Sequence, residues 1–530
     1  MGNKSKKNSK SSFGEILKSI KGGVVFFYLL VILVVHVYYA PDHFFYLGNH
    51  KTAFYERVTS VFLAVSLLLL LVSIVLYLKN KKHDKWKPDP VEIIVLAYAG
   101  WNVVSFLSSP YRDGALKGYE GWNMGLLTQL AMFAAFLFVA RWAGSGKKLL
   151  MITAAAFLPQ CIMIILQRLG MDPFHMYTGI NIGDWNRRNM LGTIGNSNWL
   201  CGYMVCIIPV VIWFFLFETK WFMEIIWGVI LFAALSALML QGSSSGVVAL
   251  AGIWVVCLLF VIKTYKQLLR LLAIPLMICF FWTVMTLGNV MILETEEGHM
   301  RETVYSMLWI IPTVLLALLI AGLWAVWRKK KDEALPSAFT KVLRILAAVG
   351  IGMGVIAFIV IQFMGDSSPS AIVRKLQIKD SWGSYRVLVW KETIVRFFTN
   401  TNPKSILFGV GPDSYGYWFG VQGITIPIEG PMKDSVFTNA HNIFLTALVN
   451  TGIIGLLLYI SAFFAALFSF IRNRKESLWA VLGILLMVGT GVNGFFSFEQ
   501  ICAMPAFLLL VALARSEMNS EKAGNVAKVG

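Results

Sequence analysis

The stretch TNAHNIFLTALVNTGIIGLLLYI (Thr438–Ile460) carries the chain from a polar segment directly into an apolar run, with His441 at the transition. Apolar runs of comparable length recur along the rest of the 530-residue chain. A run of about 18 or more apolar residues is long enough to cross the roughly 30 Å of hydrocarbon in a bilayer. Because lipid offers no water to satisfy the peptide groups, such runs are predicted to be helices.

The composition agrees with a protein that is mostly embedded in a membrane. Hydrophobic residues make up 57% of the chain and charged residues only 14%, which excludes an ordinary soluble protein. We therefore predict an all-α, polytopic integral membrane bundle of about 12–14 transmembrane helices. The candidate spans are residues 22–40, 59–78, 91–107, 122–140, 149–167, 197–217, 222–240, 246–262, 271–290, 304–327, 345–364, 442–470, 477–492 and 499–514.

The basic residues indicate how these spans are oriented. Lys and Arg cluster in alternate loops, at Lys79–Lys87, Arg141–Lys148, Lys263–Arg270, Arg328–Lys331 and Arg472–Lys475. The positive-inside rule places these clusters, and with them both termini, on the cytoplasmic side of a bacterial cell membrane. The formal net charge of +18 is therefore interpreted as a topology signal, and no nucleic-acid partner is predicted.

The predicted spans divide the chain into six parts. They are a basic cytoplasmic tail (1–21), N-terminal transmembrane helices (22–180), core helices (181–364), one large extracytoplasmic loop (365–440), C-terminal transmembrane helices (441–514) and a cytoplasmic tail (515–530). The large loop contains SYRVLVWKETIVRFF (Ser384–Phe398), which is predicted to be an amphipathic helix at the outer face of the membrane. Arg386 and Trp390 share one side of that helix because they are four residues apart.

His441 and the cations of the large loop are the candidate functional residues. An imidazole can act as an acid or a base near neutral pH, and polar groups at the edge of a membrane span are usually functional. The guanidinium fork of Arg386 is suited to a pyrophosphate. A bland interpretation stays open for both: His441 as a structural residue at a helix start, and Arg386 on an interfacial helix that meets lipid phosphates.

No cofactor or metal site is predicted. The six cysteines, at positions 161, 201, 206, 257, 279 and 502, all fall within apolar runs and show no CxxC spacing. They are interpreted as small packing residues rather than as disulfides or metal ligands.

Several pieces of the chain, taken in order, resemble the O-antigen ligase and polysaccharide polymerase superfamily of bacterial membrane glycosyltransferases. The pieces are RRNMLGTIGNSN (Arg187–Asn198), the Ser-rich hairpin and the small-residue helix after it (Gln241–Gly252), Arg386 with Trp390, GVGPDSY (Gly409–Tyr415) and AHNIFLTALVNTGIIGLL (Ala440–Leu457). The resemblance covers about residues 185–460, and the last piece is the most specific.

The resemblance implies glycan transfer at the extracytoplasmic face without a metal ion. The donor would be a polyprenyl-pyrophosphate-linked oligosaccharide, and the acceptor a hydroxyl of a glycan, a glycolipid or a protein. His441 would be the base or orienting group, and Arg386 with Arg187 or Arg188 would hold the diphosphate. The resemblance does not separate a ligase from a polymerase.

One departure from the family pattern concerns the Ser-rich hairpin. Many members carry an arginine there, whereas this chain has Ser243-Ser244-Ser245-Gly246. Arg374, Lys375 or the second of Arg187 and Arg188 is predicted to supply the missing charge. Two further hypotheses stay open, namely a transporter or flippase for polyprenyl-linked saccharides and a non-catalytic envelope assembly protein.

Overall fold

The computed structural model is almost entirely helical, which confirms the predicted all-α class. The structure describes residues 2–80, 88–179, 189–290, 307–330, 333–364, 374, 376–423 and 436–529. Two short strands, Met190–Leu191 and Gly195–Asn196, pair antiparallel within this part of the chain.

The helices of the N-terminal half are α1 (Gly2–Leu30), α2 (His36–Tyr38), α3 (Leu47–Asn80), α4 (Pro90–Ser108), α5 (Arg112–Lys117), α6 (Leu126–Trp142), α7 (Gly146–Arg168), α8 (Ser197–Phe217), α9 (Trp221–Leu240) and α10 (Ser245–Val256). Those of the C-terminal half are α11 (Tyr265–Leu287), α12 (Ile310–Lys330), α13 (Ser337–Gln362), α14 (Trp382–Thr399), α15 (Pro403–Phe408), α16 (Tyr415–Val421), α17 (Ile443–Asn473), α18 (Leu478–Gly494) and α19 (Met504–Val529). One turn of π-helix, Val31–Val35, joins α1 to α2, and another, Cys257–Val261, extends α10.

Thirteen of the fourteen predicted spans fall on apolar helices. In the part of the chain that the structure describes, ten helices are long and apolar enough to cross a membrane, and three shorter apolar helices cover Leu126–Trp142, Ser245–Val261 and Leu478–Gly494. The remaining predicted span, 499–514, falls on α19. The chain is therefore a multi-pass membrane protein.

The bundle has two faces, and each face contains its own set of helix ends. Asn442, just before α17, bonds the carbonyl of Phe495, just after α18, and these ends define the His441 face. Ser477, before α18, bonds Glu521 in α19, and these ends define the terminal face. Lys21 of α1 also lies at the terminal face, 4.8 Å from the ring of Trp142.

Helix α8 occupies the centre of the bundle. Every residue from Trp199 to Leu216 is buried, as expected for a helix that is apolar on all sides. In contrast, none of the residues in α12 or α13 is buried. Their apolar side chains are suited to contact with lipid.

Helix α17, which follows His441, is interrupted at Gly452. This residue has a φ of 71° and a ψ of −177°, so the helix consists of two segments with different directions. A side chain at this position would collide with the backbone of Leu407 and Gly409, which explains the glycine.

The GVGPDSY turn docks onto this interruption and satisfies the peptide groups that it frees. The N–H of Val410 donates to the carbonyl of Val449 over 2.9 Å, and that of Gly411 donates to the carbonyl of Asn450 over 2.9 Å. From α4, Ser105 Oγ also donates to Asn450 O over 2.8 Å. An irregular backbone inside a bundle is tolerated where protein groups replace its lost hydrogen bonds, as they do here.

Candidate functional site

His441 lies in a strained turn immediately before α17. Its φ is 48°, in the left-handed region that non-glycine residues rarely adopt. The peptide unit before it is held at both ends, because Trp390 Nε1 donates to the Ala440 carbonyl over 2.8 Å and the His441 N–H donates to Asn439 Oδ1 over 2.9 Å. The main chain at His441 is thus determined by side chains from two separate segments.

Asn442 begins α17 and ties it to the neighbouring helix. Its Oδ1 accepts from the N–H groups of Phe444 and Leu445, at 3.0 and 3.1 Å, as an N-cap residue does. Its Nδ2 donates to the Phe495 carbonyl over 3.3 Å. The asparagine of the AHN motif is therefore explained by structure alone.

The His441 imidazole lies among aromatic side chains. Its ring meets Phe498 edge-on with centroids 5.0 Å apart, and Phe437 at 6.0 Å. Its Nδ1 is buried and has no hydrogen-bond partner among the described residues. Burial, and secondarily the charge of Arg386, lowers the pKa of His441 to about 3, so the imidazole is neutral.

Arg386 is the first residue of the right-handed part of α14. The three residues before it, Gly383, Ser384 and Tyr385, form a left-handed turn with φ values of 62°, 57° and 64°. Such a conformation costs about 1–2 kcal/mol for each non-glycine residue. The predicted amphipathic helix is confirmed from Arg386 onward, since Val389, Thr393 and Phe397 form its buried stripe.

The Ser-rich hairpin is internally bonded and lies close to Arg386. Ser243 Oγ and Ser245 Oγ are 2.9 Å apart, and Ser245 Oγ lies 3.4 Å from the Cys201 thiol. That thiol contacts Asn493 Oδ1 at 3.6 Å. Arg386 acts electrostatically on both Cys201 and His441, so its charge lies within electrostatic range of the thiol that contacts the hairpin and of the imidazole.

The other predicted cations are placed differently. Arg374 is exposed. Arg187, Arg188 and Lys375 lie outside the described residues. Of the predicted cations that the structure describes, Arg386 is therefore the one whose charge acts on His441 and on Cys201, the thiol that contacts the hairpin.

The GTIGNSN segment is anchored through its backbone and small side chains. The Gly192 N–H donates to Gln167 Oε1 over 2.6 Å, and the Thr193 hydroxyl donates to the Val37 carbonyl over 2.7 Å. Asn196 caps α8 by accepting from the Asn198 N–H over 2.9 Å. These contacts join α2, α7 and α8 at the His441 face.

Sequence reasoning missed two buried cations that hold this face together. Arg168, at the end of α7, donates from Nε to the Leu240 carbonyl over 2.6 Å and from Nη2 to the Gln241 carbonyl over 3.2 Å. Lys51 donates to three carbonyls at 2.9–3.0 Å, those of His36, Val37 and Tyr39. The signal for Arg168 was its position at the edge of a predicted span, where a charge is costly unless it has partners.

Two acidic residues near the site were also missed. Asp413, within the GVGPDSY turn, accepts from the N–H groups of Tyr119 and Met124 at 2.9 Å each, and burial raises its pKa to about 7. Glu499 follows Phe498, and burial raises its pKa as well. Its carboxyl lines a small cavity with Tyr98 and other residues. An acid isolated between two apolar runs was the available signal for Glu499.

Comparison with known protein families supports the resemblance. A family model described as O-antigen ligase matches residues 306–460, a range that includes Arg386, the GVGPDSY turn and His441. The match covers less than a third of the chain and confirms its similarity to the O-antigen ligase-like superfamily. No curated protein matches the chain significantly. The family supports a membrane glycosyltransferase-like role in polysaccharide biosynthesis.

Proposed function

We propose that this chain transfers or polymerises a glycan from a polyprenyl-pyrophosphate donor onto an acceptor hydroxyl at the His441 face, which we take as extracytoplasmic. The observation that carries the proposal is the buried Nδ1 of His441, which has no hydrogen-bond partner among the described residues and lies within electrostatic range of Arg386. The family match spans both residues and supports the same reaction class. The proposed location is a bacterial cell membrane with both termini in the cytoplasm.

The reaction follows from these two side chains. The acceptor oxygen attacks the anomeric carbon of the donor sugar, and the bond from that carbon to the phosphate oxygen breaks. Polyprenyl pyrophosphate leaves with the bonding electron pair, and the acceptor proton passes to His441. Arg386 stabilises the negative charge that develops on the leaving group, and a preorganised cation in a partly buried site is effective in this role. Arg187, Arg188 and Arg374 are proposed further contacts to the diphosphate.

The low pKa of His441 suggests that the donor itself activates the base. Burial and the Arg386 charge keep the imidazole neutral, so it is ready to accept a proton but is a weak base. A diphosphate bound at Arg386 adds negative charge next to the imidazole and raises its pKa. The base then gains strength only when the donor is present.

A release assay with purified protein tests this function. The substrate is a polyprenyl-pyrophosphate oligosaccharide with a glycan acceptor, and the readout is released polyprenyl pyrophosphate together with product length. We expect His441→Ala to lower the rate by a factor of about 10² to 10⁴, the usual contribution of a positioned base. We expect wild-type release to continue in EDTA, and product length to separate a ligase from a polymerase.

His175→Ala provides a matched control, because His175 is exposed and also has a positive φ, of 53°. We expect this variant to retain wild-type activity. Full activity of His441→Ala would reject the proposed role of the imidazole. Translocation of the lipid without any transfer would instead identify a flippase.

A further inference from the structure

The backbone at His441 is held in a conformation that it would not adopt alone. A non-glycine residue with a positive φ persists only where its surroundings determine it. Three side chains determine this conformation. Each of them bonds a main-chain group of Ala440 or the N–H of His441. Trp390 holds the Ala440 carbonyl at 2.8 Å, Asn439 holds the His441 N–H at 2.9 Å, and Thr446 Oγ1 accepts from the Ala440 N–H at 3.2 Å.

Trp390 differs from the other two because it comes from a distant segment. Asn439 and Thr446 lie within six residues of Ala440, whereas Trp390 lies 50 residues away in α14. The hydrogen bond of Trp390 therefore connects α14 to the turn that carries His441. It is a direct hydrogen bond between this turn and the helix of Arg386, in addition to the packing of Val389 and Phe397 in the cluster that includes Ala440.

The same helix supplies the cation. Arg386 and Trp390 are four residues apart, so they lie on one side of α14, and the buried Val389 fixes the rotation of that helix. Trp390 also packs against Phe496, at a ring distance of 6.3 Å. One helical turn thus presents Arg386 and at the same time fixes the peptide before the imidazole.

We propose that Trp390 is a positioning residue, whose indole N–H holds the Ala440–His441 peptide so that the imidazole stays in register with Arg386. This inference rests on the proposed function, because it assigns a role in the transfer reaction to the position of the imidazole relative to Arg386. Small displacements of a reacting group are costly, and about 1 Å can cost a factor of about 10² in rate.

The test removes the indole N–H of Trp390 and keeps an aromatic ring at that position. For Trp390→Phe we expect a kcat about 10 to 100 times lower, with a donor KM within about twofold of wild type. The pH dependence of kcat is expected to shift, since a displaced imidazole has a changed interaction with Arg386. Incorporation of benzothienylalanine at position 390 gives a second variant, which keeps the shape of the indole and lacks only its N–H; it is expected to show the same loss.

Two tryptophans provide matched controls. Trp418 Nε1 donates to Thr401 Oγ1 over 3.0 Å in the same loop, and Trp213 Nε1 donates to the Leu478 carbonyl over 2.8 Å at the terminal face. We expect Trp418→Phe and Trp213→Phe to leave the pH profile of kcat unchanged. A wild-type kcat and pH profile in both position-390 variants would overturn the inference, as would an equal change in the controls.

A readout without turnover separates this inference from the proposed function. Modification of His441 by diethyl pyrocarbonate reports the access and protonation of the imidazole, whatever reaction the protein performs. We expect faster modification of His441 in Trp390→Phe than in wild type. Lack of transfer by the wild type would reject the proposed function alone, while unchanged modification in Trp390→Phe would reject the positioning role.

Discussion

The two faces of the bundle use their charged residues in different ways. At the terminal face, opposite charges join neighbouring helices: Arg515 pairs with Asp89, Arg141 with Glu92, and Arg270 with Glu224 at 2.5 Å. At the His441 face, buried cations bind main-chain carbonyls, and Arg386 raises the cost of protonating His441. The terminal face is joined by ion pairs between helices, whereas the His441 face keeps a cation within electrostatic range of a neutral imidazole.

The backbone shows a related difference. Of the ten residues other than glycine with a positive φ in the described part of the chain, four lie in the segments around the candidate site, namely His441, Ser384, Tyr385 and Asp413, whereas Ser145 lies at the terminal face. Strain of this kind persists where packing determines it, and it concentrates at functional sites. The comparison teaches that ion pairs between helices stabilise one face, whereas strained backbone is concentrated around the candidate site at the other.

The largest expected effect separates the two kinds of arginine. Arg386→Gln is expected to lower kcat by about 10² to 10³, as the loss of a charge-stabilising donor does, while the melting temperature stays close to wild type. Arg515→Gln is expected to lower the melting temperature, because it breaks a pair whose arginine is buried, and to leave the kcat of the folded protein unchanged. Polyprenyl pyrophosphate release and thermal unfolding in detergent measure both.

Arg396→Gln tests whether the effect belongs to Arg386 or to helix α14 in general. Arg396 lies on the same helix and pairs with Glu392 at 3.1 Å, partly exposed to solvent. We expect a change of at most about 1 kcal/mol in stability and none in kcat. Equal losses of kcat in the two variants would remove the contrast between the faces.

The interruption of α17 is expected to show the next largest effect. Gly452→Ala forces a positive φ on alanine and places its side chain against the backbone of Leu407, so the turn cannot dock. We expect a loss of about 1–3 kcal/mol or more in stability, with much less folded protein. Gly100→Ala in α4 is the control, because no atom lies within 4 Å of the added carbon. Equal stability in both variants would show that the interruption is not needed.

The last expected effect concerns pH and Asp413. Its pKa is about 7 in the folded protein, above the ordinary value of 3.8. Between these values the folded state holds more protons than the unfolded state, so this group makes the wild type less stable as pH rises toward 7. Asp413→Asn lacks that slope and can still accept from Tyr119 and Met124.

We therefore expect the stability of Asp413→Asn relative to wild type to increase from about pH 4 to pH 7 and then to level off. Thermal unfolding measured across this range for both proteins gives the difference directly. The buried His441 is present in both proteins, so its own pH dependence cancels. Parallel curves would show that Asp413 ionises in the folded protein as it does in the unfolded chain.

The sequence by itself determined the features that depend on local pattern. Apolar runs of membrane length predicted the helices, since the hydrocarbon thickness and the need to satisfy peptide groups leave few alternatives. The pattern of apolar and polar residues in Ser384–Phe398 predicted an amphipathic helix, and the spacing of Arg386 and Trp390 predicted a shared side. Each of these depends on residues close together in the chain.

Only the tertiary structure decided the features that depend on residues far apart. The break at Gly452 is stable because the GVGPDSY turn, some 40 residues earlier, supplies the missing hydrogen bonds. Asp413 became a buried acid through contacts with Tyr119 and Met124, almost 300 residues away. Likewise, packing of α14 against the bundle brought Arg386 within electrostatic range of Cys201 and His441. No local period records such contacts, because their energy comes from burial and hydrogen bonds between segments that meet only after the helices have assembled.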